Sequence, residues 1–115
     1  MSNIKPTITY SDFDKLDIRV GTIINAEKVE KSNKLLKLIV DFGEKIGTRQ
    51  ILSGIASSFE PEDLINKQTT FVLNLETRKM MGLESQGMLF AMDDSEEKTI
   101  LFAPSKPVEN GLAAC

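Results

Sequence analysis

The stretch "IRVGTIINAEKV", Ile18 to Val29, decides how the rest of the chain is read. Ile18, Val20, Thr22 and Ile24 fall on one face of an extended chain, and Arg19, Gly21, Ile23 and Asn25 on the other. That alternation predicts a strand. Gly21 stands in its middle, where a residue without a side chain marks a bulge or a sharp bend.

Working outward, "SDFDKLDI" predicts one short helical turn, with Ser11 as N-cap and Asp12 and Asp14 at the positive end of the helix dipole. On the other side, "EKSNK" is a polar turn. "LLKLIVDF" is a second strand, with Leu36, Leu38, Val40 and Phe42 facing inward. "GEKIGT" is a hairpin loop with two glycines, and "RQILSGI" returns as a third strand. "SSFEPEDLINKQ" breaks the alternation. Ser58 is a cap, Pro61 suits the first turn, and Glu62 and Asp63 suit the N-terminal dipole, so a short helix is expected. "TTFVLNLE" and "GMLFAMD" are the fourth and fifth strands, joined by the loop "TRKMMGLESQ". After an acidic turn, "KTILFAPS" is an appended sixth β segment, and "KPVENG" leads into the tail.

A bending glycine in the first strand, a helix between the third and fourth, and a length of 115 residues suit an all-β, five-stranded Greek-key barrel, the OB-fold. An SH3-like barrel or an open α+β sheet is the structural alternative. One domain is expected over residues 1–115, with a barrel core of about 13–104 and extensions at both ends. An OB barrel presents ligands to the face of its second and third strands, flanked by the loops after strands one and four. Here those loops are "EKSNK" and "TRKMMGLESQ".

Composition narrows the chemistry. Hydrophobic content of 41% and charged content of 27% are ordinary for a soluble globular chain. No apolar run approaches the length of a membrane span, and the N-terminal residues lack a signal-peptide core, so cytoplasmic residence is expected. The chain has no histidine, which excludes His-based acid–base catalysis and Cys/His zinc sites. Its one cysteine, Cys115, permits no internal disulfide. No Gly-rich nucleotide-binding motif occurs. A non-catalytic protein with no cofactor and no metal is expected.

The net charge of −3 is not that of a general nucleic-acid binder. Its distribution is uneven. Lys28, Lys31, Lys34, Lys37, Lys45 and Arg49 outnumber the acids among them, and Arg78 and Lys79 add a second positive spot. In an OB barrel both spots fall on the ligand side. Simple solvation of the surface is the competing reading.

The blocks "FDKLDIRVGTI", "SNKLLKLIVDFG", "ILSGIA" and "VLNLETRKMMGLESQGMLFA", in that order, resemble the structure-specific tRNA-binding domain family. The resemblance covers about Phe13 to Pro104. That family includes free-standing tRNA-binding proteins, the C-terminal domain of methionyl-tRNA synthetase and the export-chaperone-like CsaA branch. Membership implies an OB-fold, a homodimer when free-standing, and recognition of tRNA by shape. The CsaA branch implies a chaperone that binds unfolded or exported polypeptides instead. By the resemblance, Asn33 and Lys34 contact RNA from the first loop, and Arg78, Lys79, Ser85 and Met88 from the second. The chemistry is suitable. Lys34, Arg78 and Lys79 can neutralise phosphates, and Asn33 and Ser85 can hydrogen-bond sugars or base edges. Met88 offers polarizable apolar surface to an exposed base. Met80 and Met81 serve as loop or core filler as readily as ligand contacts, Gly82 and Gly87 as backbone requirements with φ > 0 or tight approach, and Arg19 as an ion-pair partner for a nearby carboxylate rather than an RNA contact. No tryptophan or tyrosine platform stands on the face, since Tyr10 precedes the barrel, and shape-plus-phosphate recognition is the better fit. The segments 1–10 and 105–115 are expected to build a dimer interface.

Overall fold

A computed structural model describes residues 3–115. The chain runs α1 (Tyr10–Phe13), β1 (Ile18–Lys28), β2 (Leu36–Asp41), β3 (Thr48–Ser53), α2 (Pro61–Leu64), β4 (Gln68–Val72), β5 (Arg78–Met80), β6 (Leu83–Ser85), β7 (Met88–Leu89), β8 (Ala91–Asp93) and β9 (Thr99–Leu101). Five strands form one antiparallel sheet in the order β3-β2-β1-β4-β7. The sheet curls into an OB-like barrel with α2 between the third and fourth strands.

Closure begins in β1. Its first half, Ile18 to Thr22, pairs with β4, and its second half, Thr22 to Lys28, pairs with β2. One strand thus serves both halves of the barrel, which requires it to bend between them. Gly21 lies at the turning point. A Cβ there would stand 2.5 Å from Val40 Cγ1 and 2.7 Å from Phe42 Cε1, so the missing side chain lets β2 fold tightly over β1. The register then shifts between Ile23 and Asn25. Gly21 and Ile23 face the core and Ile24 is 44% exposed, as alternation requires; the extra residue at the shift then turns Ala26, three residues after Ile23, inward as well.

The inward set of β2 is as expected: Leu36, Leu38, Val40 and the following Phe42 are all essentially inaccessible. They meet Ile51 of β3, Phe71 of β4 and Leu64 of α2. Phe42 and Phe71 pack edge to face with centroids 5.4 Å apart. Pro61 opens α2, but the N-cap is Glu60 with no side-chain cap bond. Ser58, the expected cap, instead accepts a hydrogen bond from Thr99 N at 2.9 Å. At α1 the cap is Thr9 rather than Ser11, its hydroxyl accepting from Asp12 N at 3.1 Å.

Two segments depart from the sequence reading. "TRKMMGLESQ" is not an open loop: Arg78–Met80 and Leu83–Ser85 pair as a hairpin. Met81 (φ 52°) and Gly82 (φ 79°) form its two-residue turn, where positive φ matches the twist of the strands. The tail, moreover, folds back on its own barrel. Gly111 N and Ala114 N donate to the carbonyls of Val20 and Ile18, and Val20 N donates to Leu112 O. It occupies the β1 edge that β2 leaves uncovered. Arg19 binds the tail through Gly111 O at 2.9 Å and pairs with Asp17 at 2.8 Å, the ion pair expected of it.

Candidate nucleic-acid interface

The register puts Asn25, Ile39 and Gln50 in one row across the outer face of β1, β2 and β3, and Glu27, Lys37 and Leu52 in the next. The β5–β6 hairpin crosses the β3 end of this face. Leu52 points outward yet is only 4% exposed, because the hairpin covers it. The turn after β1 rises at the other end. A cleft between the two is lined by Lys28, Lys31, Lys37, Val29, Met81 and Leu83, with Glu27 and Glu30. The two segments that sequence reasoning placed on one side of the barrel therefore share one cleft.

The cations differ in availability. Lys37 is half-buried and held by Glu27 at 2.7 Å across the strands. Lys28 lies 3.9 Å from Glu60, with both side chains mostly in water. Lys31, Lys34, Arg78 and Lys79 are exposed and make no ion pair among the described residues. Strand alternation sends Arg78 and Lys79 to opposite faces of the hairpin. Arg78 shares the side of Met80, Leu83 and Ser85. Lys79 stands opposite Glu84 on the other side, which weakens its positive field.

The expected site residues are distributed as follows. Asn33 and Lys34 are exposed in the β1–β2 turn, where Lys34 O accepts from Ala56 N. They sit at the rim and do not line the cleft. Met88 is 46% exposed on β7, beyond the hairpin. Ser85 is a correction. It is 2% exposed, and its hydroxyl accepts from Leu52 N and donates to Gly87 O, each at 3.0 Å. A buried hydroxyl with both roles filled offers no free atom to a sugar or a base. Lys31 and Met81, which line the cleft, were absent from the expected set. Lys31 is exposed in a turn where its φ is 69°, a local geometry that no spacing rule announces.

Comparison with known proteins gives this geometry its context. The family model described as "Putative tRNA binding domain" matches residues 18–113. A methionine–tRNA ligase of Methanococcoides burtonii is 50% identical over 107 residues, which cover 93% of this chain and 16% of the ligase. A methionine–tRNA ligase of Archaeoglobus fulgidus is 47% identical over 111 residues, again 16% of its length. The chain thus spans about one sixth of these curated relatives. Among solved structures, a MetRS-related protein of Pyrococcus horikoshii superposes with a TM-score of 0.89 at 37% identity, covering 96% of this chain and 100% of that one. The chaperone CsaA of Bacillus anthracis superposes with a TM-score of 0.86 at 28% identity, with the same coverage. The matched residues run from the start of β1 into the tail strand, and no catalytic family is indicated. The chain belongs to the tRNA-binding domain family.

Proposed function

We propose that the protein binds tRNA without catalysis, reading its shape and phosphate backbone through the outer face of β1–β3 and the two lips that flank it. The observation that carries this reading is the shared cleft, which brings the lysine-bearing β1–β2 turn against the tip of the hairpin that bears Arg78 and Lys79. Lys31, Lys34, Arg78 and Lys79 are the phosphate contacts, with Asn33 and Met88 at the rim. Methionine–tRNA ligases act on tRNA, and the similarity to a segment of them supports the same ligand here. With about four phosphates neutralised per subunit, affinity falls about 50- to 150-fold between 50 and 200 mM salt.

The second reading is a CsaA-like binder of unfolded polypeptides. One observation favours it: Met88, Phe90, Met92 and Ile100 present apolar surface on β7–β9, between 38% and 46% exposed. Titration with bulk tRNA and with an unfolded polypeptide, each at two salt concentrations, separates the two. An apolar peptide site is nearly insensitive to salt. Polypeptide binding with no measurable tRNA affinity defeats the RNA reading.

Assembly follows from the N-terminal segment. Ile4 (99%), Ile8 (62%) and Tyr10 (76%) stand in solvent, with Phe13 and Leu16 nearly half exposed. Such a run of apolar side chains needs a cover, and a second copy supplies one around a two-fold axis. Residues 1 and 2 lie outside the described residues, and the tail contributes only what remains exposed after it pairs with β1. Sedimentation at micromolar concentration is expected to show a dimer. A monomer that binds tRNA tightly excludes it.

A further inference from the structure

The barrel is sealed along β3 in an unusual way. The strand's outer edge faces the chain as it passes from β6 to β7. Across this seam the described residues make one backbone–backbone hydrogen bond, Gln86 N to Gln50 O at 2.8 Å. Every other bond involves a side chain. Leu52 N donates to Ser85 Oγ at 3.0 Å, and Gln50 N donates to Gln86 Oε1 at 3.0 Å. Gln50 Nε2 donates to Glu84 O at 2.9 Å, and Arg49 Nη1 reaches Leu73 O at 2.9 Å and Gln86 O at 3.3 Å. In a regular sheet, the amides of Gln50 and Leu52 would find carbonyls of a neighbouring strand. Here the hairpin has swung over the outer face instead, and side-chain oxygens replace those carbonyls. The amide of Leu52 is buried and costly to leave without a partner, so Ser85 Oγ is a structural necessity there, while the Gln50 bonds hold the exposed end of the seam.

We infer that Gln50, Ser85 and Gln86 are positioning residues for tRNA binding: they latch the β5–β6 hairpin, and with it Arg78 and Lys79, over the outer face of β3. This assignment rests on the tRNA reading. It gives Ser85 a role in the site without any contact to RNA. Because the latch is made of side chains, it can be removed while the backbone ladders of β1 with β2 and β4, and of β2 with β3, stay intact. A loosened hairpin still carries its charges but must be ordered when RNA binds, so affinity falls and the number of phosphates neutralised does not.

The test uses Gln50→Met, which keeps the length of the side chain and removes its donor and acceptor, and Ser85→Ala. In the free protein, amide hydrogen exchange in Arg78–Ser85 is expected to accelerate about tenfold, while Leu38 and Ile51 are unaffected. At 25 °C, tRNA affinity is expected to weaken about three- to tenfold, the scale of one or two intramolecular hydrogen bonds. The salt slope stays at its wild-type value. Global destabilisation alone would lower the melting temperature and leave affinity at 25 °C in place. If Ser85→Ala does not fold, Gln50→Met decides, since Gln50 is partly exposed and its loss leaves the core untouched. Unchanged hairpin exchange overturns the latch. Faster exchange with unchanged affinity overturns the positioning role. A wild-type protein that binds no tRNA sinks the functional reading itself, and the exchange result then separates that failure from a failure of the latch.

Discussion

Replacement of Gly21 by valine is expected to destabilise the barrel by about 3 kcal/mol or more. Intrinsic preference points the other way. Valine favours strands over glycine by up to ~1 kcal/mol, and glycine loses more backbone entropy on folding. Packing overrides that preference. The first added carbon would sit 2.5 Å from Val40 Cγ1 and within 2.9 Å of two ring atoms of Phe42. Neither neighbour is the free end of a surface chain. Val40 is fully buried and Phe42 is 1% exposed, its ring fixed against Phe71. Relief therefore requires β1 to move away from β2, at the residue next to Thr22, where β1 holds both β2 and β4. Against a typical total stability of roughly 5–15 kcal/mol for a domain, this is a large fraction. Gly21→Ala loses less, because a single methyl displaces fewer atoms. Urea unfolding should show a lower midpoint for both, with valine the more severe. A valine variant more stable than wild type would mean that β1 and β2 are not in close contact at this point.

Removing Arg78 and Lys79 together is expected to weaken tRNA binding on the order of a hundredfold at 50 mM salt, and hardly at all near 1 M. Each phosphate contact contributes roughly 0.7 to 0.9 to the salt slope, so the double alanine variant lowers it by about 1.4 to 1.8. The two residues should not contribute equally. Arg78 lies on the barrel side of the hairpin and can grip a phosphate bidentately, whereas Lys79 faces Glu84 across the strand pair. Arg78→Ala should therefore cost more than Lys79→Ala, and Lys31→Ala should resemble Arg78→Ala in salt dependence. Met88→Ala removes no charge, so it should reduce affinity with the slope unaltered. Lys98→Ala is the control: Lys98 stands in the β8–β9 turn, away from the cleft, and its ammonium donates to Ser57 O in the segment between β3 and α2. The effect should be similar across tRNA species, because phosphate contacts carry no sequence information. If the double variant melts at a lower temperature and binds tRNA as before, the pair serves the fold and the cleft is not the RNA site.

The amino-acid sequence by itself determined the local elements. Leu36, Leu38, Val40 and Phe42 could face only one way once their strand formed, because side chains alternate with a period of two. Pro61 with Glu62 and Asp63 set the start of α2, since proline lacks the amide that a first turn leaves unused. Gly82 and Gly87 at positive φ were legible because other residues avoid that region. The charge pattern also marked both lips of the cleft. What the tertiary structure decided was everything that depends on a partner strand. Ala26 rather than Asn25 follows Ile23 into the core because the bulge is defined by the register against β2, which no feature within "TIIN" reveals. Ser85, expected to contact RNA, is seen to satisfy Leu52 N only once β3 is found to lack a backbone neighbour on one edge. The tail, expected at a dimer interface, is seen to pair with an uncovered edge of β1 only in the assembled barrel. A hydrogen-bonding group must be satisfied wherever it is buried, and whether it is buried is settled by chain tens of residues away. Periodicity reports which way a side chain points, and the assembled barrel alone settles what it meets there.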